Sequence, residues 1–261
     1  MISTWWGLAV LAVAIAAVAM LVTALVAKAV GRVSVVDVTW GLALVAIGLG
    51  TAVAGTGTPW RRWLVLVLVA IWGCRLAWHI LRRSQGKGED PRYEELLAGG
   101  GFGTAIRKVF VTQGLVVCLI ALPVLAAGHS DVASSPVVWL GVLIWVVGVV
   151  FETVGDAQLA AYKRDPDRGP VMDRGLWGWT RHPNYFGDAC LWWGIWVAGG
   201  LASGWLPALV SVVSPIAMTY FIRNVTGAKL LEKTMSQRPG WDAYAARVPL
   251  FFPRPPRRPS R

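Results

Sequence analysis

The chain has 261 residues, 56% of them hydrophobic and 16 of them Trp, with a mean hydropathy of +0.55. That balance excludes a soluble globular domain and points to a polytopic membrane protein. Lys and Arg outnumber Asp and Glu by 25 to 14, for a net charge of +11. In a membrane setting such an excess belongs to loops facing anionic lipid rather than to nucleic-acid binding.

Seven apolar runs of spanning length are predicted, at roughly 4–27, 34–54, 62–81, 109–127, 136–157, 185–203 and 205–222. The first is too long for a signal-peptide core and lacks a basic leader, so it reads as a retained helix. Nearly all Lys and Arg fall in connections on one side, leaving Arg61 and Arg62 opposite and Arg75 inside a span. The expectation is therefore an all-α, seven-transmembrane-helix bundle with its N terminus out and its C terminus in the cytosol. It is read as one membrane domain over residues 1–252, with a disordered Pro/Arg-rich tail at 253–261. Cys74, Cys118 and Cys190 stand apart within apolar runs, so neither a zinc site nor a disulfide framework is indicated.

The polar residues within or beside spans mark the chemistry. Asp37 lies a few residues inside the second span, where a carboxylate costs about 2.5–3.5 kcal/mol near the centre and less near the end. It reads either as functional or as an interfacial acid paired with Arg32 or Arg75. In the third span Arg75, His79 and Arg82 or Arg83 recur at helical spacing as one polar stripe. The segment Gly86-Lys-Gly-Glu-Asp-Pro-Arg-Tyr93 is either a lid over a cofactor or an exposed turn capping a short helix. Glu152 and Asp156 sit one turn apart on the fifth helix, so like charges share a face and call for donors. The stretch Arg181-His-Pro-Asn-Tyr-Phe-Gly-Asp188 then leads from a polar loop into an apolar helix, with Asn184 placed to cap it and Asp188 a turn further on. Polar groups at that depth are costly unless they serve a site.

In order, Glu152…Asp156…Tyr162-Lys-Arg, Arg174-Gly-Leu-Trp, Arg181-His-Pro-Asn-Tyr-Phe-Gly-Asp, Leu-Leu-Glu232 and Tyr244…Val248-Pro249 resemble the steroid 5α-reductase family. With Ser34-Val-Val-Asp37-Val-Thr-Trp40-Gly and the Gly86–Tyr93 segment, the closer resemblance is to its bacterial branch, the DUF1295 group. It covers nearly the whole chain and is strongest over 150–250. The resemblance implies NADPH bound from the cytosol and reduction of a carbon–carbon double bond conjugated to a carbonyl. By position, Asp156, Asn184, Asp188 and Arg223 match family residues that hold the cofactor. Glu152 stands where steroid reductases carry an amide, Lys163 where they carry an arginine, and Asp37 near the acid that contacts the substrate ketone. Two departures are visible: Pro170 occupies the usual place of an arginine, for which Arg174 substitutes, and the expected tail tyrosine aligns near Leu231.

The resulting expectation is an NADPH-dependent oxidoreductase in the inner (plasma) membrane, its active site facing the cytosol. Its substrate would be a lipid-like, sterol-like or polyprenyl small molecule, and its only other partners membrane lipids. Asp37, His79 and Tyr93 are the candidate catalytic donors. Glu152, Asp156, Lys163, Arg164, Arg174, Arg181, His182, Asn184, Tyr185, Asp188 and Arg223 are the candidate cofactor residues, the cations among them for the phosphates. No metal is expected. An alternative rests on Arg-His-Pro-x-Tyr-x-Gly, which is also similar to integral-membrane methyltransferases resembling isoprenylcysteine carboxyl methyltransferase. There the same loop would hold S-adenosylmethionine, although the tail here has one acid, Glu232, where that family commonly has two. A third reading is a non-catalytic membrane scaffold, against which stands the absence of transporter-like repeats.

Overall fold

The structure, a computed structural model, describes residues 1–255. Its regular elements are helices, with no strand among the described residues beyond an isolated bridge between Ile2 and Gly55. Six helical runs are long and apolar enough to cross a membrane: Trp5–Val30, Val33–Ala54, Pro59–Ser84, Phe102–Ile120, Ser135–Arg164 and Trp205–Met235. The chain divides into two compact units, one comprising Met1–Val138 and Ile195–Ser214, the other Trp139–Gly194 and the chain from Pro215 onward.

In the first unit α1 (Trp5–Val30) shows how a helix is ordered for lipid. Leu8, Ala12, Ala16, Met20, Ala24 and Ala27 recur at three- or four-residue spacing and are buried, while Val13, Val18, Leu21 and Leu25 are exposed. Small residues inward and large apolar ones outward are the arrangement that packing without a hydrophobic drive between helices favours. α1 packs on α2 (Val36–Ala54), and α2 on α3 (Pro59–Ser84). A Cβ added at Gly41 would lie 2.8 Å from the Gly73 carbonyl oxygen, and one at Gly73 would lie 2.7 Å from that of Gly41. The α2 and α3 backbones therefore touch.

The short helix α4 (Pro91–Leu97) follows, then α5 (Phe102–Ala105), which runs through a π-helical turn at Ile106–Val111 into α6 (Thr112–Ile120). The fourth span was expected to run on to residue 127. Instead the helix ends at Ile120 and α7 (Leu122–His129) begins afresh, because Pro123 has no N–H to donate and crowds the preceding turn. Arg61, fully buried at the start of α3, donates to the Ser203 hydroxyl at 2.7 Å and to the carbonyls of Ala127 and Ser130. It thereby ties α3, the end of α7 and the turn at Leu201–Ser203. The helix α10 (Trp205–Ser211) also belongs to this unit and packs on α7.

The second unit is built on α8 (Ser135–Arg164) from Trp139 and α9 (Pro183–Gly199) up to Gly194. Gly141, Gly148 and Gly155 recur every seven residues on α8, as do Gly187 and Gly194 on α9. A Cβ at Gly148 would meet the Leu191 N at 2.5 Å, and one at Gly194 the Trp145 N at 2.6 Å. The seven-residue spacing keeps these glycines on one seam, and the two backbones meet along it. α9 coincides with most of the sixth expected span but has only 17 residues, about 26 Å at 1.5 Å per residue. The seventh is longer than its apolar stretch: α11 (Val213–Tyr220) continues through a π-helical turn at Phe221–Val225 into α12 (Ala228–Met235). Finally α13 (Trp241–Arg247) buries Trp241, Tyr244 and Val248 against Val171 and Met235. Of the tail expected to be disordered, Arg254 donates its N–H to the Trp179 carbonyl at 2.9 Å, while 256–261 lie outside the described residues.

Candidate functional site

The α8–α9 seam brings Glu152 and Asp156 to Asn184. A Cβ at Gly187 would meet the Glu152 N at 2.5 Å, and one at Gly155 the Asn184 N at 3.2 Å. At this separation the Asn184 Nδ2 donates to Asp156 Oδ1 across 3.0 Å. Asn184, expected to cap α9, is not at the N-cap position, although its Oδ1 accepts the Tyr185 N–H of the first turn at 3.0 Å. Pro183 already occupies the first helical position and the His182 carbonyl accepts from the Phe186 N–H, so Asn184 is within the first turn and its amide is turned toward α8. Glu152 is buried, while Asp156 and Asp188 are half-buried.

The loop before α9 is held down from both sides. Its 3-10 turn, Gly175–Gly178, docks on α8: Gln158 Oε1 accepts from the Leu176 N–H at 3.0 Å, and the Trp177 indole donates to the Gly155 carbonyl at 3.0 Å. The C-terminal segment closes over it. Tyr244 donates its hydroxyl to the Trp177 carbonyl at 2.8 Å, Thr180 its hydroxyl to that of Phe251 at 2.9 Å, and Arg181 its N–H to that of Pro249 at 2.9 Å. Burial pushes the Tyr244 phenol well above its ordinary range. Arg247 pairs with Asp173 on the outside of this strap.

At its centre is Glu232, on α12. Arg181 donates to it through Nε at 2.7 Å and through Nη2 at 3.2 Å, and its Nη1 donates to the Ala245 and Val248 carbonyls at 2.9 and 3.2 Å. His182, 1% exposed, has Nε2 3.2 Å from the same carboxylate and stacks on Tyr185 with ring centroids 5.6 Å apart. All three Arg181 nitrogens are thus engaged by the strap. Of the other candidate cations Lys163, Arg164 and Arg174 are exposed, Arg164 donating back to the Ala160 carbonyl at 3.2 Å. Arg223 is half-buried in the π-helical turn of Phe221–Val225, and its Nε is buried with no hydrogen-bond partner among the described residues. Glu232 and Gln158 were not singled out from the sequence as site residues. The signals for Glu232 were the Leu-Leu-Glu motif and its place as the one acid where the methyltransferases commonly have two.

The first unit holds a separate cluster. Asp37 accepts from the Tyr93 hydroxyl at 2.5 Å and from Arg92 Nη2 at 3.0 Å. Its ion-pair partner is therefore Arg92, where the pairing alternative names Arg32 or Arg75. Arg32 instead reaches the Ser84 carbonyl and the Ser34 hydroxyl. Asp90 caps α4 by accepting from the Arg92 N–H at 2.9 Å, and Glu89 accepts from the backbone N–H groups of Val33, Ser34 and Asp90. The Gly86–Tyr93 segment thus clasps the N-terminal end of the second span. Burial raises the Glu89 carboxyl, but the Ser34 hydroxyl and these N–H groups outweigh it and leave it below its ordinary value. Burial first, then the Asp37 charge, drives the Tyr93 phenol far upward. His79 is exposed on α3 and does not join this cluster; it lines an open depression with Arg75, Trp78, Arg82 and Arg83.

Among the described residues no group of His, Cys, Asp and Glu could hold a metal ion. A family model described as "Protein of unknown function (DUF1295)" matches residues 23–248. No curated protein matches the chain, and no solved structure does.

Proposed function

The chain belongs to the DUF1295 family, and from that premise we propose that it is a membrane reductase of the steroid 5α-reductase type. On this reading it takes NADPH and reduces a carbon–carbon double bond conjugated to a carbonyl in a lipid-like substrate. The short α9 counts as a seventh span, the N terminus lies outside, and the second unit's polar end faces the cytosol of a bacterial cell.

The observation that carries the proposal is the Asn184–Asp156 bond across the glycine seam. A carboxylate fixed by an amide, with Glu152 and Asp188 within a turn, is an acceptor set suited to ribose hydroxyls and a carboxamide. The buried Arg223 Nε, without a protein partner among the described residues, fits an anionic group from outside the chain. Exposed Lys163, Arg164 and Arg174 are the further phosphate ligands in this assignment. Arg181 and His182 act through Glu232 to hold the loop, so their part is positioning. When bound, the nicotinamide supplies hydride.

For the carbonyl, the first unit offers Tyr93 and Asp37, with His79 as a substitute. Asp37 accepts from Arg92 and Tyr93, so Tyr93 is the member of that pair that carries a proton, and its hydroxyl would have to turn from Asp37 to reach the carbonyl. The methyltransferase reading asks the Arg181-His182 loop to hold the carboxylate and amine of S-adenosylmethionine. It is the weaker one because the Arg181 donors already serve Glu232 and two carbonyls.

Thermal shift of detergent-solubilised protein with NADPH, NADH and S-adenosylmethionine tests the proposal. NADPH is expected to raise the midpoint in the wild type, and to raise it much less in Asp156→Ala and Asn184→Ala proteins whose own midpoints are retained. Stabilisation by S-adenosylmethionine alone would replace the reductase reading. Stabilisation by none would favour a scaffold.

A further inference from the structure

The strap over the loop before α9 ends in an exposed surface that the cofactor residues do not use. Phe252 is 67% exposed and Trp179 is 38% exposed. The backbone that carries one is tied to the backbone that carries the other. Arg254 donates its N–H to the Trp179 carbonyl at 2.9 Å, and Thr180 donates its hydroxyl to the Phe251 carbonyl at 2.9 Å. Both rings therefore belong to one fixed part of the second unit.

A run of rings connects this surface to the apolar face of α8. Leu143, Val146, Val147, Val150 and Val154 are exposed, and at about 100° per residue they share one side of the helix, away from the glycine seam. Phe151 is half-buried at the edge of that face. Its ring centroid lies 5.1 Å from that of Phe186 on α9, which lies 6.1 Å from Phe251 and 6.4 Å from Phe252. Val154 is the last large apolar side chain on the α8 face; Ala157, Ala160 and Ala161 follow, then Lys163 and Arg164. The apolar layer on α8 thus ends within a turn of Phe151, where the rings lead across to Phe252.

The strap is also cationic. Arg254 is exposed, and residues 243–261 include no Asp or Glu while they bring Arg247, Arg254, Arg257, Arg258 and Arg261. Of these, Arg247 is paired with Asp173. Exposed rings joined to a lipid-facing helix and accompanied by arginines match the boundary of a bilayer. Aromatic side chains settle there at the headgroup level, and basic ones meet anionic lipid. A protein partner would not require the surface to continue into the lipid-facing side of α8.

We infer that Trp179, Phe252 and Arg254 form an interfacial anchor that seats the strap on an anionic bilayer surface. The two rings lie at the headgroup level, and the Arg254 guanidinium meets lipid phosphates. The anchor does not depend on the reductase proposal.

Photocrosslinking of the full chain in nanodiscs tests it, using a trace phospholipid with a diazirine at the top of its acyl chain, followed by peptide mapping. Adducts on α8 between Leu143 and Val154 report lipid contact that needs no anchor, and serve as the reference. In phosphatidylglycerol nanodiscs, adducts on residues 249–254 are expected to exceed those in phosphatidylcholine by about fivefold or more, relative to that reference. The excess is expected to vanish in about 1 M salt. Arg254→Gln should cut it by about fivefold, and Phe252→Ser should remove most labelling of the strap in either lipid.

Thermal midpoints in phosphatidylcholine show whether each variant keeps its strap in place. If Phe252→Ser lowers the midpoint, the wild-type lipid comparison and its salt dependence still decide. A strap without adducts beside a labelled α8 would overturn the anchor and leave the exposed rings to a protein partner. Equal labelling in the two lipids, or unchanged labelling in a folded Phe252→Ser protein, would overturn it as well.

Discussion

Asn184 on α9 donates its side-chain amide to Asp156 on α8 across 3.0 Å, beside a glycine seam that brings the two helix backbones together. Interaxial distances of 8–10 Å are set by the side chains at the contact. Here the contact consists of Gly148, Gly187 and Gly194, with backbone nearly touching backbone. The polar pair thus sits beside a contact made by residues that carry no chemistry.

The first prediction tests that contact. Gly187→Ala places a Cβ 2.5 Å from the Glu152 N and the Gly148 carbonyl oxygen, so the helices must part. The expected cost is about 1–3 kcal/mol, the range for overpacking a tight contact, together with weaker NADPH binding. Gly103→Ala, where nothing lies within 4 Å of the added carbon, is expected to leave the midpoint unchanged or slightly raised. Thermal midpoints of the two variants in one detergent make the comparison.

Removing Glu232 leaves Arg181 and His182 facing each other without their shared acceptor. Glu232→Ala is expected to destabilise the protein by about 1–3 kcal/mol, because the pair is half-buried and His182 behind it is left without its acceptor. Glu232→Gln keeps an acceptor and should cost less. Exposure of the 175–182 loop to protease should follow the same order: wild type, then Gln, then Ala.

The clasp over the second span should open in acid. Glu89 has its folded pKa below the ordinary 4.5. Its bonds to Val33, Ser34 and Asp90 therefore contribute fully above that value and are lost as pH falls through the folded pKa. Proteolysis between residues 84 and 101 should be slow at neutral pH and accelerate below about pH 4.5. In Glu89→Gln it should be faster at neutral pH and should show a smaller acid step.

Arg61 is the buried charge that organises the opposite end of the first unit. Arg61→Met is expected to leave the Ala127 and Ser130 carbonyls without their donor, at about 1–3 kcal/mol for each group left unsatisfied. Ser203→Ala removes only the hydroxyl contact and should cost about 1 kcal/mol. Denaturation midpoints of both variants check the ranking.

Composition and periodicity determined the helical class and the spanning length of most apolar runs, because the need to satisfy backbone groups in lipid leaves a long apolar segment little choice but a helix. Local sequence also marked Glu152, Asp156, Arg181, His182 and Asn184 as polar groups beside apolar runs, but not Glu232 or Gln158, which the loop residues meet in the structure. Partners were another matter. Asp37 meets Arg92 and Tyr93 from a segment more than fifty positions away, and Arg181 meets Glu232 across a similar gap. Asn184 stands two residues past the N-cap position, where its side-chain oxygen accepts the Tyr185 N–H and its amide turns to Asp156. The break at Pro123 and the shortness of α9 likewise shifted span boundaries that hydropathy alone had drawn. Hydropathy records what each residue prefers as its surroundings. Which charge meets which, and how closely two backbones approach, is decided by packing between segments distant in sequence, and only the tertiary structure carries that information.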